Sequence, residues 1–283
     1  MKKYLTLALF AALCSCNDNT IAPNTKGEAT LTLTGNTISL APTRSGTFQN
    51  LQDSTQVGVY VLQTSGVITT FASTPYINGL YKVTGSDGAF VCATPFVLYD
   101  GSSYVVCAYS PRLSNVATGA NALPFNHGTD VLYAPSSEVT ISGTTASAAL
   151  SFTHQMSQIS FTLVSGVGSP VLTNAALEVG GFAASCTMNL SDGALTPVAA
   201  SSAVINQVAT PICFVPGALT LAVSVKTADG KTYSGALNRT FVAGSSYSYT
   251  LTLNKTEEKL GVTGTVVDWV AVPSGDVELK EYN

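Results

Sequence analysis

The chain has 283 residues, of which 46% are hydrophobic and only 10% charged, and its formal net charge is −4. This length suits one large domain or two ordinary ones. Twelve basic residues against sixteen acidic ones leave no basic face to displace counterions from phosphates, which excludes a nucleic acid partner. The apolar content is enough to bury a core, which excludes a disordered chain.

The mean hydropathy of +0.31 does not indicate a membrane-spanning helix. After residue 16, no uninterrupted apolar run approaches the roughly 20 residues that such a helix needs. Val, Ala, Leu and aromatic residues instead alternate with Ser and Thr. That composition is typical of half-buried β-sheet.

The first residues indicate a bacterial lipoprotein signal. Lys2 and Lys3 precede an apolar stretch at residues 5–13, which is too short to span a bilayer and long enough for a secretory signal. Residues 13–16 match the lipobox, in which Cys16 is acylated and becomes the mature N-terminus. We therefore predict a signal peptide at residues 1–15 and a lipid anchor at Cys16. Two or three acyl chains at that cysteine would hold the protein firmly in the membrane. An ordinary signal peptide is the alternative.

The rest of the sequence predicts short strands separated by turns. Residues 30–34 alternate Thr with Leu, so that the leucines share one face. Residues 57–62 are apolar on both faces, which is typical of a central strand. Turn signals recur about every 8–12 residues, as in β-sandwiches rather than βαβ units.

Four turn sequences predict β-hairpins, at residues 85–88, 100–101, 191–193 and 229–230. Near the end, residues 247–253 alternate again and residues 262–272 form a last apolar stretch. Together with the length, these features predict two β-sandwich domains joined near residues 151–158, with a loop at residues 166–170 inside the second.

The sequence holds no recognisable catalytic or metal-binding pattern. His127 lies in a predicted turn and His154 at a strand end, and neither has the spacing of a metal ligand. No nucleophile elbow, P-loop or dinucleotide-binding motif is present. We therefore predict a structural role for both histidines, and no enzyme, cofactor or metal site.

Cysteines and aromatic residues have two interpretations each. Cys92, Cys107, Cys186 and Cys213 fall in apolar strands, which favours buried thiols. Disulfide bonds such as Cys92–Cys107 are the alternative, which the sequence does not decide because it cannot assign connectivity. Strand aromatics more often fill a core than stack on sugars. Those considered are Tyr76, Tyr81, Tyr99, Tyr104, Tyr109 and Trp269.

Together with the lipobox, several segments resemble the fimbrillin family, the subunits of lipoprotein-derived pili of Gram-negative anaerobes. They are residues 56–60, 81–90, 130–134, 150–161, 247–255 and 265–269. The resemblance covers nearly the whole mature chain. It implies an all-β fold of two transthyretin-like β-sandwich domains in tandem, residues 45–152 and 153–283, and no enzymatic activity.

The resemblance also implies that an arginine-directed protease removes an N-terminal strand. Arg44 is the first arginine, and it follows a strand-like stretch at residues 29–42. We expect cleavage between Arg44 and Ser45, which makes residues 16–44 a propeptide. The alternative is that Arg44 is a solvated turn charge. The core-facing residues of the removable strand would be Leu31, Leu33, Ile38 and Leu40.

Removal of that strand would drive polymerisation. Four buried aliphatic side chains are worth roughly 6–12 kcal/mol, which is comparable to the roughly 5–15 kcal/mol of net stability of a domain. A strand from another subunit can fill the empty groove. Such a head-to-tail contact is open-ended and builds a filament.

The donor strand is expected from the C-terminus, with Val270, Val272, Val277 and Leu279 as its apolar residues. Only fourteen residues follow Trp269, which favours a tip or accessory subunit over a stalk subunit.

The predicted function is a structural or adhesive pilus subunit, first an outer-membrane lipoprotein and then part of a surface fimbria. Its expected partners are other pilus subunits and a host or bacterial surface ligand. The alternative is an anchored lipoprotein that binds glycans through exposed aromatics.

Overall fold

The computed structural model describes residues 27–37, 51, 53–64, 71, 76–84, 88–199, 203–205, 211–254 and 259–268. These residues form twenty β-strands and no helix, which confirms the predicted all-β class. No helix able to cross a membrane occurs in this part of the chain.

The first ten strands lie before residue 155. They are β1 (Glu28–Thr37), β2 (Gln56–Thr64), β3 (Tyr76–Thr84), β4 (Ala89–Val91), β5 (Val97–Tyr99), β6 (Ser103–Ser110), β7 (Ala122–Asn126), β8 (Leu132–Glu138), β9 (Thr140–Ser142) and β10 (Thr145–His154).

The other ten strands follow. They are β11 (Ser157–Ser165), β12 (Ala176–Phe182), β13 (Ser185–Asn189), β14 (Leu195–Pro197), β15 (Ala203–Ile205), β16 (Ile212–Phe214), β17 (Gly217–Lys226), β18 (Thr232–Phe241), β19 (Ser245–Asn254) and β20 (Lys259–Asp268).

The first sheet closes on itself. Its strands run in the order β1-β4-β3-β2-β6-β8-β10, and β10 pairs back to β1, so that seven strands form a barrel. β5 pairs with the start of β1, and β9 pairs with β10. The observed architecture is thus several sheets, one of which is closed into a barrel. The finer prediction of two transthyretin-like sandwiches in tandem stays a prediction.

β2 is a central strand with two buried faces, as its sequence predicts. Val57, Val59 and Val61 are fully buried in the barrel core. Tyr60 points the other way, into a different buried cluster. The stretch is therefore apolar at successive positions because each face of the strand meets a separate core.

The second sheet has eight strands in the order β15-β12-β17-β18-β20-β19-β11-β16. β19 buries every second residue, which confirms the predicted alternation. β20 pairs antiparallel with β19 along its whole length, from Asn254↔Lys259 to Ser245↔Asp268. Leu260 and Val262 of β20 therefore pack in their own half of the chain.

A third, three-stranded sheet joins the two halves, because β7 of the first half pairs with β13 of the second. Beside it lies a buried cluster with side chains from both halves. It includes Tyr60, Cys107, Tyr109, Phe125, Tyr133, Met156, Cys186, Met188, Leu190 and Cys213. The division at residues 152 and 153 stays a prediction.

Three of the four predicted hairpins are confirmed, since β3–β4, β13–β14 and β17–β18 are antiparallel pairs. The hairpin at residues 100–101 is wrong. A turn is present there, but β5 pairs with β1, whereas β6 pairs with β2 and β8. The hydroxyl of Tyr104 accepts a hydrogen bond from the Tyr99 N–H at 3.1 Å, where a hairpin would use a backbone carbonyl.

The four described cysteines are free thiols, and three of them are buried. Burial raises the pKa of Cys186 to about 11 and that of Cys213 to about 12. Burial also raises the pKa of Cys107. Cys92 is partly exposed. No disulfide links Cys92 to Cys107, so this open pairing is not formed.

We predict that Cys92 alone among these four reacts with a water-soluble maleimide in the native protein at pH 8. The buried thiols stay protonated below their raised pKa values, and the thiolate is the reactive form. Peptide mapping by mass spectrometry checks this, with guanidinium-unfolded protein as the control in which all four react. Rapid native labelling of Cys107 or Cys213 would contradict the buried arrangement.

Tyr60 and Tyr109 are neighbouring buried tyrosines whose hydroxyl groups differ in their bonding. The Tyr109 hydroxyl donates to Asn78 Oδ1 at 2.8 Å and accepts from the Leu113 N–H at 3.1 Å. The Tyr60 hydroxyl is buried and finds no hydrogen-bond partner among the described residues. The two rings lie 6.2 Å apart.

We predict that Tyr109→Phe lowers the free energy of unfolding by about 1–3 kcal/mol, because it leaves buried polar groups unpaired. Tyr60→Phe, the matched control, removes a buried hydroxyl that is itself unpaired and therefore leaves stability unchanged or slightly higher. Denaturant unfolding of both variants measures this. Equal losses in the two variants would contradict the assigned hydrogen bonds.

Candidate assembly groove around the first strand

β1 is paired along both of its edges. On one edge it runs parallel to β10, from Thr30↔Thr145 to Thr37↔Phe152. On the other edge it runs antiparallel to β5 and then to β4. Among the described strands, β1 alone pairs with both β4 and β10. It is therefore the strand that closes the barrel.

Hydrogen bonds hold the strand from both sides. The Thr30 N–H donates to the carbonyl of Thr144 at 2.9 Å on the β10 side. The Leu31 N–H donates to the carbonyl of Phe96 at 2.9 Å on the opposite side. The Thr32 hydroxyl adds a bond to the Ala146 carbonyl at 3.1 Å. Without β1, the facing groups of both neighbouring edges would lose these partners.

The inward face of β1 is apolar and fully buried. Ala29 is 0% exposed, and Leu31 and Leu33 are each 2% exposed. Gly35 is the next inward position and is buried as well. The outward residues between them are exposed. The strand follows the period of two that a sheet with one buried face requires.

The groove that receives these side chains is walled by β4, β5 and β10. Six buried apolar residues form the walls, and all belong to the barrel core: Phe90, Leu98, Ala146, Ala148, Leu150 and Phe152. The rings of Phe90 and Phe152 approach to 6.2 Å between centroids. This ring pair comes from the two strands that flank β1, so it narrows one end of the groove.

The other predicted site residues lie outside the described residues. They are Cys16, Ile38, Leu40, Arg44, Ser45, Val270, Val272, Val277 and Leu279. Their roles stay predictions. The structure thus brings Leu31 and Leu33 together in one groove and describes no strand for the predicted C-terminal donor.

Aromatic residues that could have stacked on sugars largely fill the core instead. Tyr81, Tyr104 and Tyr109 are buried, Tyr76 is half-buried, and Tyr99 is 40% exposed. Trp269 lies outside the described residues. Of these five described tyrosines, Tyr99 alone is exposed.

An open cleft of about 700 Å³ lies beside β3 and β4, and no sequence pattern predicts it. Lys82 and Arg112 bring two positive charges to its lining, next to apolar Leu80 and Val91. The Arg112 Nε–H donates to the Asn78 carbonyl at 3.1 Å. The β3–β4 hairpin and the residues just after it supply most of the lining. The sequence predicts that hairpin, but no local motif shows that Arg112 reaches it.

Both histidines make structural hydrogen bonds. His154 Nδ1 lies 2.8 Å from Asp130 Oδ1, and His127 Nδ1 lies 3.1 Å from the Ala184 carbonyl oxygen. Among the described residues, no three His, Cys, Asp or Glu side chains group as a metal site.

Known structures share this fold. A candidate cell adhesion protein of Bacteroides uniformis aligns with a TM-score of 0.66 at 20% identity, covering 87% of this chain and 99% of that one. A candidate cell adhesion protein of Bacteroides ovatus aligns with a TM-score of 0.64 at 18% identity, covering 86% and 99%. These likenesses show the fold alone. No curated protein sequence matches this one.

The family model described as fimbrillin-like matches residues 43–269, which is well over half of the chain. The match confirms the family that the sequence segments resemble. The chain therefore belongs to the fimbrillin-like family of cell-surface fimbrial and adhesion proteins, which are structural rather than enzymatic.

Proposed function

We propose that this protein is a fimbrial subunit that is exported as a lipoprotein and joins its neighbours by strand exchange in the β1 groove. The observation that carries the proposal is that the first described strand closes the barrel from both edges. One cut between β1 and β2 would free that strand, and Arg44 lies in this interval. β1 also precedes the residues that the family model matches.

Loss of β1 would leave an unfavourable surface. Leu31 and Leu33 together contribute roughly 3–6 kcal/mol of apolar burial. The exposed edges of β4, β5 and β10 would be unpaired, and such edges attract another strand. A strand from a second subunit would restore side-chain burial and backbone hydrogen bonds together.

The same cut would separate the protein from its predicted lipid anchor. Cys16 and β1 both lie before Arg44, so cleavage there divides the acylated segment from the rest of the chain. Release from the outer membrane and opening of the groove would then be one event. This coupling would keep the groove closed until the subunit has reached the cell surface.

We propose a tip or accessory position in the fimbria. The described residues support the accepting half of an exchange, since they form a groove around β1. Head-to-tail contacts of this kind are heterologous and propagate into a filament. A tip subunit needs only the accepting half, and its outer surface would contact a host or bacterial ligand.

The fold implied by the family fits this exchange. A transthyretin-like sandwich whose two sheets are joined along one edge by β1 would be a closed barrel with β1 in place. It would be an open sandwich after β1 leaves. We therefore propose that the first half of the chain is such a sandwich in its closed, unprocessed form.

A glycan-binding lipoprotein that keeps its anchor has less support. It would use exposed aromatic rings, and three of the considered tyrosines are core residues. Mass spectrometry of the native surface protein tests the two functions. A mature terminus at Ser45 supports the strand-exchanging fimbrial subunit, and an intact acylated Cys16 supports the anchored binder or a subunit that anchors the fimbria.

We predict that Arg44→Ala leaves the protein as a membrane-bound monomer, because the propeptide strand stays in its groove. Arg44→Lys should behave like Arg44→Ala, since an arginine-directed protease does not accept lysine. Thr43→Ala is the matched control and should be processed normally. Fractionation and N-terminal mass spectrometry measure the result, and an unchanged polymer yield from Arg44→Ala would sink the proposed processing.

We predict that Leu31→Ala or Leu33→Ala destabilises the unprocessed chain by about 2–5 kcal/mol, since each removes a buried side chain from the barrel core. Thr30→Ala and Thr34→Ala on the outward face should change stability by less than about 0.5 kcal/mol. Denaturant unfolding compares the four variants. Similar effects on the two faces would contradict the packing of β1.

A further inference from the structure

Gly35 is an inward-facing position of β1 without a side chain. A Cβ atom placed there would lie 2.7 Å from Cε2 and 3.0 Å from Cζ of Phe90. It would also lie 3.2 Å from the carbonyl oxygen of Leu150. Carbon atoms pack at about 3.5–4.0 Å, so even a methyl group would overlap the Phe90 ring.

The Phe90 ring has little room to withdraw. It is 7% exposed, and it packs against Phe152, which is fully buried. Gly35 does not occupy the left-handed region of backbone conformation. Its importance therefore lies in the missing side chain and not in a special backbone angle.

Two other positions on the same face carry large side chains. Leu31 and Leu33 precede Gly35 by four and two residues, and both are buried. Leu33 is paired with Phe90, and the Phe90 ring extends over Gly35, two residues further along β1. A strand displaced by two residues would put a leucine beneath that ring, and a strand displaced by one would turn its leucines to solvent. The groove therefore distinguishes the register of its occupant.

We propose that the ring pair of Phe90 and Phe152 makes this groove selective for strands with a glycine beneath the Phe90 ring, two residues after the position that is paired with Phe90. The occupant, a strand of another fimbrial subunit, would carry large aliphatic side chains two and four residues before that glycine when it runs parallel to β10. This inference rests on the proposed strand exchange. It adds which strand is accepted and in which register.

The test uses the full chain with a protease site introduced within residues 41–50, cleaved once so that every residue is retained. Labelled peptides of residues 27–37 then compete with the resident strand. The Gly35→Val peptide should bind about tenfold more weakly than the unchanged peptide, because overpacking a core costs this much or more. The Thr34→Val peptide, altered on the outward face, should bind within about threefold.

A second variant shows whether the ring is the cause. With Phe90→Ala in the protein, the Gly35→Val peptide should bind within about threefold of the unchanged peptide. Equal binding of both peptides to the unaltered protein would overturn the inference, as would a nicked protein that admits neither peptide. A penalty that persists with Phe90→Ala would overturn the role of the ring.

An intact-chain measurement avoids peptide exchange altogether. Gly35→Val should speed hydrogen exchange of the β1 amides by about tenfold. Gly180→Ala is the matched control in strand β12, where a new Cβ would find its nearest neighbour at 3.9 Å. Unchanged β1 protection in Gly35→Val would overturn the inference.

Failure of this inference can be distinguished from failure of the proposed function. The ranking of peptides does not depend on Arg44 or on filaments. If the Gly35→Val peptide binds more weakly but assembly does not need Arg44, the proposed processing alone is overturned. If both peptides bind equally but assembly needs Arg44, the selectivity for glycine alone is overturned.

Discussion

The pairing of β1 with β10 on one edge and with β4 and β5 on the other is the contact on which the barrel depends. It connects residues far apart in the sequence, as in the bond from Thr32 to Ala146 across 114 positions. The closing strand is also the first one described, and β2 follows it in the chain. In the strand exchange that we propose, a cut between β1 and β2 would separate this strand from the rest of the barrel.

If subunits assemble as we propose, this arrangement joins the stability of the subunit to its assembly. While β1 is present, its leucines complete the core and its backbone satisfies both flanking edges. In the strand exchange that we propose, the same surfaces would become a specific binding site for a strand once β1 leaves. The energy that stabilises the unprocessed subunit is therefore the energy that would link subunits, and one proteolytic event would convert one use into the other.

Local features of the fold could be predicted from the sequence. The alternating residues of β1 and β19, the doubly buried β2 and three hairpins depend on neighbouring residues, which the sequence shows directly. The predicted hairpin between β5 and β6 is wrong, because β5 pairs with the distant strand β1 instead. Barrel closure and the sheet that joins β7 to β13 depend on pairs of distant segments, which no local pattern reports.

In the candidate site too, features set by neighbouring residues could be predicted, whereas those set by distant segments could not. Leu31 and Leu33 could be chosen from the alternation, but the wall residues Phe90 and Phe152 could not. The sequence shows that Gly35 has the same strand parity as the inward leucines. Its role could not be predicted, because it depends on the Phe90 ring that lies against it in the structure.

A high-resolution structure of the native assembled fimbria, in which the chain occupying the groove beside β10 can be traced, decides whether β1 is exchanged between subunits. We predict that this strand belongs to another subunit and has a glycine beneath the Phe90 ring. Density for residues 28–37 of the same chain, still continuous with β2, would contradict it.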